Sequence, residues 1–371
     1  MTNVLAAERV CPPGPPAPGW IAIDDGLIVE VGSGHAPDGA VDAGSAVLAP
    51  GFIDLQVNGV DDVDFVSTDS DGWRRAGRAQ LEEGVTGYCP TLVTAPLDAY
   101  PAALERVLAA RTDAENQALP TIVGVHLEGP FLGGAPGAHP VALVRPADRE
   151  WLRALLAAFP GLVRLVTLAP EADPGFEATR LLHEHGVTIA LSHSTATYET
   201  ARAAADAGAR LVTHLFNGMG PLHHREPGLA GAALDDERLT PTLIPDLVHV
   251  HPAALRLAIR HKQNVGLVTD RVATTGLRVT EDGAARLDDG TLAGSTLSMA
   301  RAVQNTVGLG VPIARAMEMA ATIPAGALGL TDRGRIAPGV RADLVALDPS
   351  SLAVRAVWLS GERVIGSIEP S

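Results

Sequence analysis

Apolar residues fall along this chain in short runs separated by stretches of helical spacing. Runs of strand length lie near 52–57 (FIDLQV), 85–92 (VTGYCPTL), 122–128 (IVGVHLE), 163–168 (VRLVTL), 187–192 (VTIALS), 210–214 (RLVTH), 242–248 (TLIPDLV) and 265–270 (VGLVTD). Between them, segments such as DREWLRALLAAF and YETARAAADAG space their apolar residues as amphipathic helices do. Eight strands alternating with helices predict an α/β fold, a (β/α)8 TIM-type barrel rather than an open doubly wound sheet. A dinucleotide-binding sheet would carry GxGxxG after its first strand, and that pattern is missing.

The two ends follow a different pattern. GWIAIDDGLIVEVGSG holds two short alternating runs around an Asp-Gly turn, the mark of a hairpin. The tail, GRIAPGVRADLVALDPSSLAVRAVWLSGERVIG, is built similarly. Residues 1–49 and 336–371 are therefore expected to meet as one small β-sandwich-like domain beside a barrel of residues 50–335. No repeat of solenoid period is present, and low complexity is confined to the Pro-rich run 12–18.

Charge and composition narrow the function. The net charge of −15, with no Lys/Arg cluster, argues against a nucleic-acid partner. The N-terminus lacks a basic n-region and a long apolar h-region, and no run is long enough to span a bilayer. A cytoplasmic location without membrane attachment is expected. Cys11 and Cys89 lack metal-type spacing and read as reduced thiols. The single lysine, Lys262 in LAIRHKQN, reads as the end of a surface helix. That placement argues against P-loop, Schiff-base and carbamylated-lysine chemistry together.

Active sites of such barrels lie at the C-terminal ends of the strands. Here those ends carry Gln56 and Asn58, His126 and Glu128, His193, His214 and Asn217, Asp246 and His249, and Asp270. A single histidine at a strand end is more often structural, and a single aspartate can make an Asx turn. Together they point to one polar mouth. Glu128, His193 and His214 form a reasonable three-ligand set for one divalent metal per subunit, leaving a position open for water. Zn2+ is the expected ion, with Fe2+ or Co2+ also compatible. Bound zinc would bring the pKa of water to about 7. Asp270 would then serve as general base, kept ionised by neighbouring positive charge, and His249 would polarise a carbonyl.

The stretches around these residues resemble the N-acetylglucosamine-6-phosphate deacetylase family of the amidohydrolase superfamily. They are APGFIDLQVNG (49–59), GVHLEGPFL (124–132), GAHP (137–140), LSHSTATYE (191–199), THLFNGMGPLHHREPG (213–228), VTD (268–270) and DGTLAGSTLSM (289–299). The resemblance implies hydrolysis of an acetamido group on an amino-sugar phosphate, giving the free amine and acetate, by a homodimer. It implies the same three metal ligands, Asp270 as acid and base, and His249 and His139 at the substrate. Gln56, Asn58, Ala138, Asn217, Gly218, Leu292, Ala293 and Gly294 would bind substrate, as would Arg225, reaching into the partner's site. Relatives with two metals carry His-x-His on strand one and a carbamylated lysine. Gln56-x-Asn58 and the lack of a suitable lysine imply a single metal.

Four features depart from the family pattern. The loop after strand one reads Val60-Asp61-Asp62 where glycines are usual, Leu247 replaces a glycine, Arg271 replaces a small residue, and the segment after Gly276 is short. They imply either compensated drift or an altered pocket in which Arg271 and the new acids contact substrate. Two further readings follow: a deacetylase of another N-acyl amino sugar, such as N-acetylgalactosamine, or a silent sugar-phosphate binder. Retention of all three ligands and Asp270 disfavours the second.

Overall fold

The computed structural model describes residues 3–11 and 14–367. The first two prolines of the Pro-rich run and the last four residues of the expected C-terminal segment lie outside the described residues. The barrel strands, labelled in chain order, are β1 (Phe52–Val57), β2 (Val85–Val93), β3 (Val125–Glu128), β4 (Val163–Leu168), β5 (Thr188–Leu191), β6 (Leu211–Val212), β7 (Thr240–Leu243) and β8 (Gly266–Leu267). Each pairs in parallel with the next. Their runs are nearly all apolar because helices cover one face and the barrel interior fills the other.

The seam between β8 and β1 is closed partly by a side chain. Asp54 accepts hydrogen bonds from the Thr269 hydroxyl (2.5 Å) and amide (3.3 Å), while the Asp270 amide donates to the Gln56 carbonyl (2.9 Å). Burial pushes the Asp54 carboxyl up to about 7, against the pull of these donors.

Strands six to eight are shorter than the sequence implies. His214, Leu247 and Asp270 take left-handed backbone (φ +35°, +69° and +49°), which cannot continue a ladder. Gly124 divides the third expected strand into Thr121–Ile122 and Val125–Glu128. A further small sheet, Arg278–Val279, Ala284–Arg286 and Leu292–Ser295, fills the short segment after Gly276 and was not foreseen.

The chain ends do meet. Val47–Pro50 pairs antiparallel with Leu344–Leu347, joining N- and C-terminal strands into one eight-stranded hydrogen-bonded sheet. The foreseen hairpin is Ala17–Asp24 and Leu27–Ser33, turning at Asp25-Gly26 with φ of +47° and +75°. Both positive angles suit a two-residue turn whose twist matches that of the strands. Ile21, Ile28, Leu48 and Leu344 form this sheet's own apolar core.

Two readings of single residues need correction. Lys262 follows helix Pro252–His261 but is fully buried, its ammonium donating to the Asp236 carbonyl (2.6 Å). It still lies away from the cleft. His126 does not reach the mouth. It sits inside the barrel between Thr91 (3.1 Å) and Thr167 (2.7 Å), and burial pulls its imidazole down to about 4. Cys11 and Cys89 are buried and unbridged. No described helix is long and apolar enough to cross a membrane.

Candidate active site

A cleft of about 980 Å³ opens at the C-terminal ends of the barrel strands. On its floor the last residue of β3, Glu128, is surrounded by imidazoles. His193 Nε2 lies 3.2 Å and His214 Nε2 3.0 Å from the same carboxylate oxygen, Oε1. His139 Nε2 stands 4.0 Å from the other, Oε2. Burial opposes the Glu128 charge, but the hydrogen bonds from His193 and His214 outweigh it and hold the carboxyl well below its ordinary range. Burial pulls His139 down to about 4, against the attraction of Glu128.

This Glu/His/His cluster could hold a metal ion. The ring nitrogens not facing Glu128 are already engaged, His193 Nδ1 by the Ala135 carbonyl (3.2 Å) and His214 Nδ1 by the Ser192 hydroxyl (3.3 Å). A proton on Nδ1 leaves the Nε2 lone pair for a ligand, and fixes the ring. Among the described residues, the set of three compatible atoms lying within 4.8 Å of one another is Glu128, His139 and His193; His214, expected as the third ligand, is outside that set although its Nε2 lies 3.0 Å from Glu128 Oε1.

Asp270 is tied to this cluster through amides. Gln56 Nε2 donates to Glu128 Oε1 (3.0 Å) and to Asp270 Oδ1 (3.1 Å), and Asn58 Nδ2 donates to Asp270 Oδ1 (2.9 Å). Gln56 therefore bridges the carboxylates and does not line the cleft, whereas Asn58 does. The buried oxygens Gln56 Oε1 and Asn58 Oδ1, and His139 Nδ1, have no protein partner. Burial, and then the Glu128 charge, push Asp270 up to about 6; His214, His249 and Asn58 pull the other way. Asp270 thus stands above the ordinary carboxylate range, yet at about 6 it is still mostly ionised at neutral pH. A bound cation would pull it back down.

Asp246 orients His249. Its Oδ2 contacts His249 Nδ1 (2.5 Å) and its Oδ1 accepts the amides of Val248 and His249 (2.9 Å each). Burial opposes the Asp246 charge, but these bonds hold its carboxyl below the usual range. His193, His214 and Asp270 all adopt left-handed backbone (φ +49°, +35° and +49°), a concentration of strain at one mouth.

Of the expected substrate contacts, Ala138, His139, Asn217, Gly218, Leu292, Ala293 and Gly294 line the cleft. Gly218 (φ +58°) leaves room for the His193 ring, since a Cβ there would lie 2.7 Å from Nδ1. Arg225 is exposed, holds His224 (2.9 Å) and does not line its own chain's cleft. Among the four positions expected to alter the pocket, Asp62 lines it; Asp61, Leu247 and Arg271 do not. Arg271 is instead bound to Glu83 and Asp61, so its guanidinium is not directed at substrate.

Leu247 does not close space in the cleft; it carries backbone strain at a glycine-like position. Its side chain is exposed, so Leu247→Gly gives up little burial. The substitution should stabilise the protein by up to about 1 kcal/mol. A thermal melt checks this, and a lower midpoint would contradict the strain.

Two residues were missed in the sequence. Glu171 accepts bonds from the Ser194 hydroxyl (2.5 Å) and the amides of Thr195 (2.8 Å) and Gly134 (3.1 Å). It thereby ties the loop leading to His139 to the residues after His193. Arg286, on the small insert sheet, lines the cleft and donates to the Gly290 carbonyl (2.9 Å). No local signal marked either one.

Comparison with known proteins agrees with this geometry. The amidohydrolase family profile matches residues 47–364. The chain is 38% identical over 382 residues to N-acetylgalactosamine-6-phosphate deacetylase of Escherichia coli O157:H7, covering 98% of this chain and 99% of that one. It is 40% identical over 349 residues to N-acetylglucosamine-6-phosphate deacetylase of Bos taurus, covering 87% and 84%. A mutant N-acetyl-D-glucosamine-6-phosphate deacetylase from Mycobacterium smegmatis, solved with N-acetyl-D-glucosamine-6-phosphate, superimposes with a TM-score of 0.90 at 35% identity, covering 98% of this chain and 99% of that one. A barrel with this carboxylate–histidine floor, matched over nearly its whole length, belongs to the amidohydrolase family and, within it, to the N-acetylglucosamine-6-phosphate deacetylases.

Proposed function

We propose that this protein hydrolyses the acetamido group of N-acetylglucosamine 6-phosphate, releasing acetate and leaving the free amine. The observation that carries this reading is the convergence of His193 and His214 on one oxygen of Glu128, with Asp270 joined to it through Gln56. Glu128, His193 and His214 would hold one metal; a carboxylate with two imidazoles suits Zn2+, and Fe2+ and Co2+ are also compatible. When bound, that metal supplies Lewis acidity and an acidified water at neutral pH.

The protein's own groups do the rest. Asp270 accepts the proton of the attacking water at its carboxylate and returns it to the departing amine nitrogen. His249, braced by Asp246, donates a hydrogen bond to the amide oxygen as charge develops there. Asn58 and His139, which line the cleft, offer polar contacts to bound substrate. Asn217 and Gly218, with Ala138 and Leu292–Gly294, enclose the sugar.

Arg225 points to a homodimer. A phosphate clamp lying outside its own cleft suits delivery into the partner's cleft, where its fork would complement Arg286. Arg225→Ala should raise KM for the phosphorylated sugar while leaving the plain sugar little changed. Hybrids of Arg225→Ala and Asp270→Asn chains should regain the low-KM turnover of the phosphorylated sugar that neither variant shows alone. Hybrids that keep the raised KM of Arg225→Ala would contradict the contribution across the interface.

A second reading has its own support. The E. coli relative that matches end to end acts, by its name, on N-acetylgalactosamine 6-phosphate. The two sugars differ only in configuration at carbon 4. Acetate release from both 6-phosphates and both plain sugars separates these readings, and no release from any of them would favour the silent binder.

A further inference from the structure

Arg271 and Asp61, 210 positions apart in sequence, touch in space. Arg271 Nη2 donates to Asp61 Oδ1 (2.8 Å), and Nη1 donates to both Glu83 oxygens (2.9 Å each). The arginine side chain is 11% exposed, so its charge is largely withdrawn from water. Glu83 caps the C-terminus of helix Ser70–Glu82. Asp61 forms the turn between Gly59–Val60 and Val63–Asp64, with left-handed backbone (φ +54°).

Main-chain bonds extend the same junction. The Arg271 carbonyl accepts the amides of Asn58 (2.7 Å) and Gly59 (3.2 Å). The Asp61 carbonyl accepts the Thr274 amide (2.7 Å) and hydroxyl (3.0 Å). The loops so joined present Asp62 and Asp64 from one side, and Val272, Ala273 and Thr275 from the other, to a single wall of the cleft. The immediate neighbour of Arg271 is Asp270, and that of Asp61 is two residues from Asn58. A planar guanidinium fork can hold two carboxylates in fixed directions, which an ammonium cannot do.

We propose that Arg271 is a positioning residue that, with Asp61 and Glu83, forms a strut setting the spacing of the loops after β1 and β8 and thereby the fit of substrate beside Asp270. The proposal rests on the deacetylase reading for its substrate, and its structural half is testable without it.

The test uses the full chain loaded with metal. Arg271→Met should raise KM for the phosphorylated N-acetyl sugar about tenfold, with a smaller fall in kcat and unchanged metal content. Glu83→Gln should act in the same direction, and the double variant should be no worse than Arg271→Met, because both remove one shared contact. Asp61→Asn changes an exposed carboxylate, tolerates left-handed backbone, and should raise KM about threefold at an unchanged thermal midpoint. It decides the matter if the arginine variant fails to fold.

Hydrogen exchange supplies a readout that needs no turnover. The amides of Asn58, Gly59 and Thr274 should exchange faster in Arg271→Met or Asp61→Asn than in wild type. Absence of acetate release from wild type would remove the substrate reading but not this result. Unchanged exchange at all three amides overturns the strut, as does a KM within about twofold of wild type in both Arg271→Met and Asp61→Asn.

Discussion

Asp270→Asn should lower kcat by about 10²–10⁴-fold while the protein still binds its metal. The substitution keeps the shape of the side chain, and its amide oxygen can still accept from Gln56 and Asn58, which now hold Asp270 at 3.1 and 2.9 Å. What it removes is the basic oxygen that takes and returns a proton. Asp270 is half-buried and not among the three proposed ligands, so metal content per chain should not fall. Acetate-release kinetics with elemental analysis of the same sample checks both halves. Turnover near wild type would remove Asp270 from the reaction. Lost metal would place it among the ligands instead.

Glu128→Gln should lose the metal itself. The carboxylate sits among the His193, His214 and His139 imidazoles, and the rings of His193 and His214 are aimed at it by their other contacts. A neutral amide would leave a divalent ion with imidazoles alone. Loss of an outer hydrogen-bond partner of a ligand typically weakens metal binding about 10–100-fold, and removing a charged ligand should cost more. Activity should fall with occupancy and return in part at high added Zn2+. Full occupancy and turnover in Glu128→Gln would contradict the proposed site.

The contrast between these two residues shows what a sequence can hold. That Glu128, His193, His214 and Asp270 share one mouth was legible because a barrel brings strand ends to one rim, whatever lies between them. β4 and the 17–33 hairpin were legible because each is an uninterrupted local pattern. β7 and β8 were read too long, since nothing local announces that Leu247 and Asp270 turn left-handed. The small insert sheet has strands of two to four residues, too short to show periodicity.

Long-range partners were the other blind spot. Arg271 read as a pocket residue because its ion-pair partner Glu83 lies 188 positions away. Asp54 gave no sign that it would close the barrel through Thr269, 215 positions on. Asp246 could have been read more fully. Its spacing of three residues from His249 allowed the pairing that the structure displays.

The central claim is that the Glu128–His193–His214 floor and Asp270 together deacetylate an amino-sugar 6-phosphate with a bound metal. The most direct measurement follows acetate and free amine from N-acetylglucosamine 6-phosphate and N-acetylgalactosamine 6-phosphate, in chelated protein and in the same protein after metal is restored. The expected result is equal amounts of both products, faster from N-acetylglucosamine 6-phosphate, lost on chelation and regained with one metal ion per chain. Equal turnover in metal-free and metal-restored protein, or no products from either sugar, would contradict it.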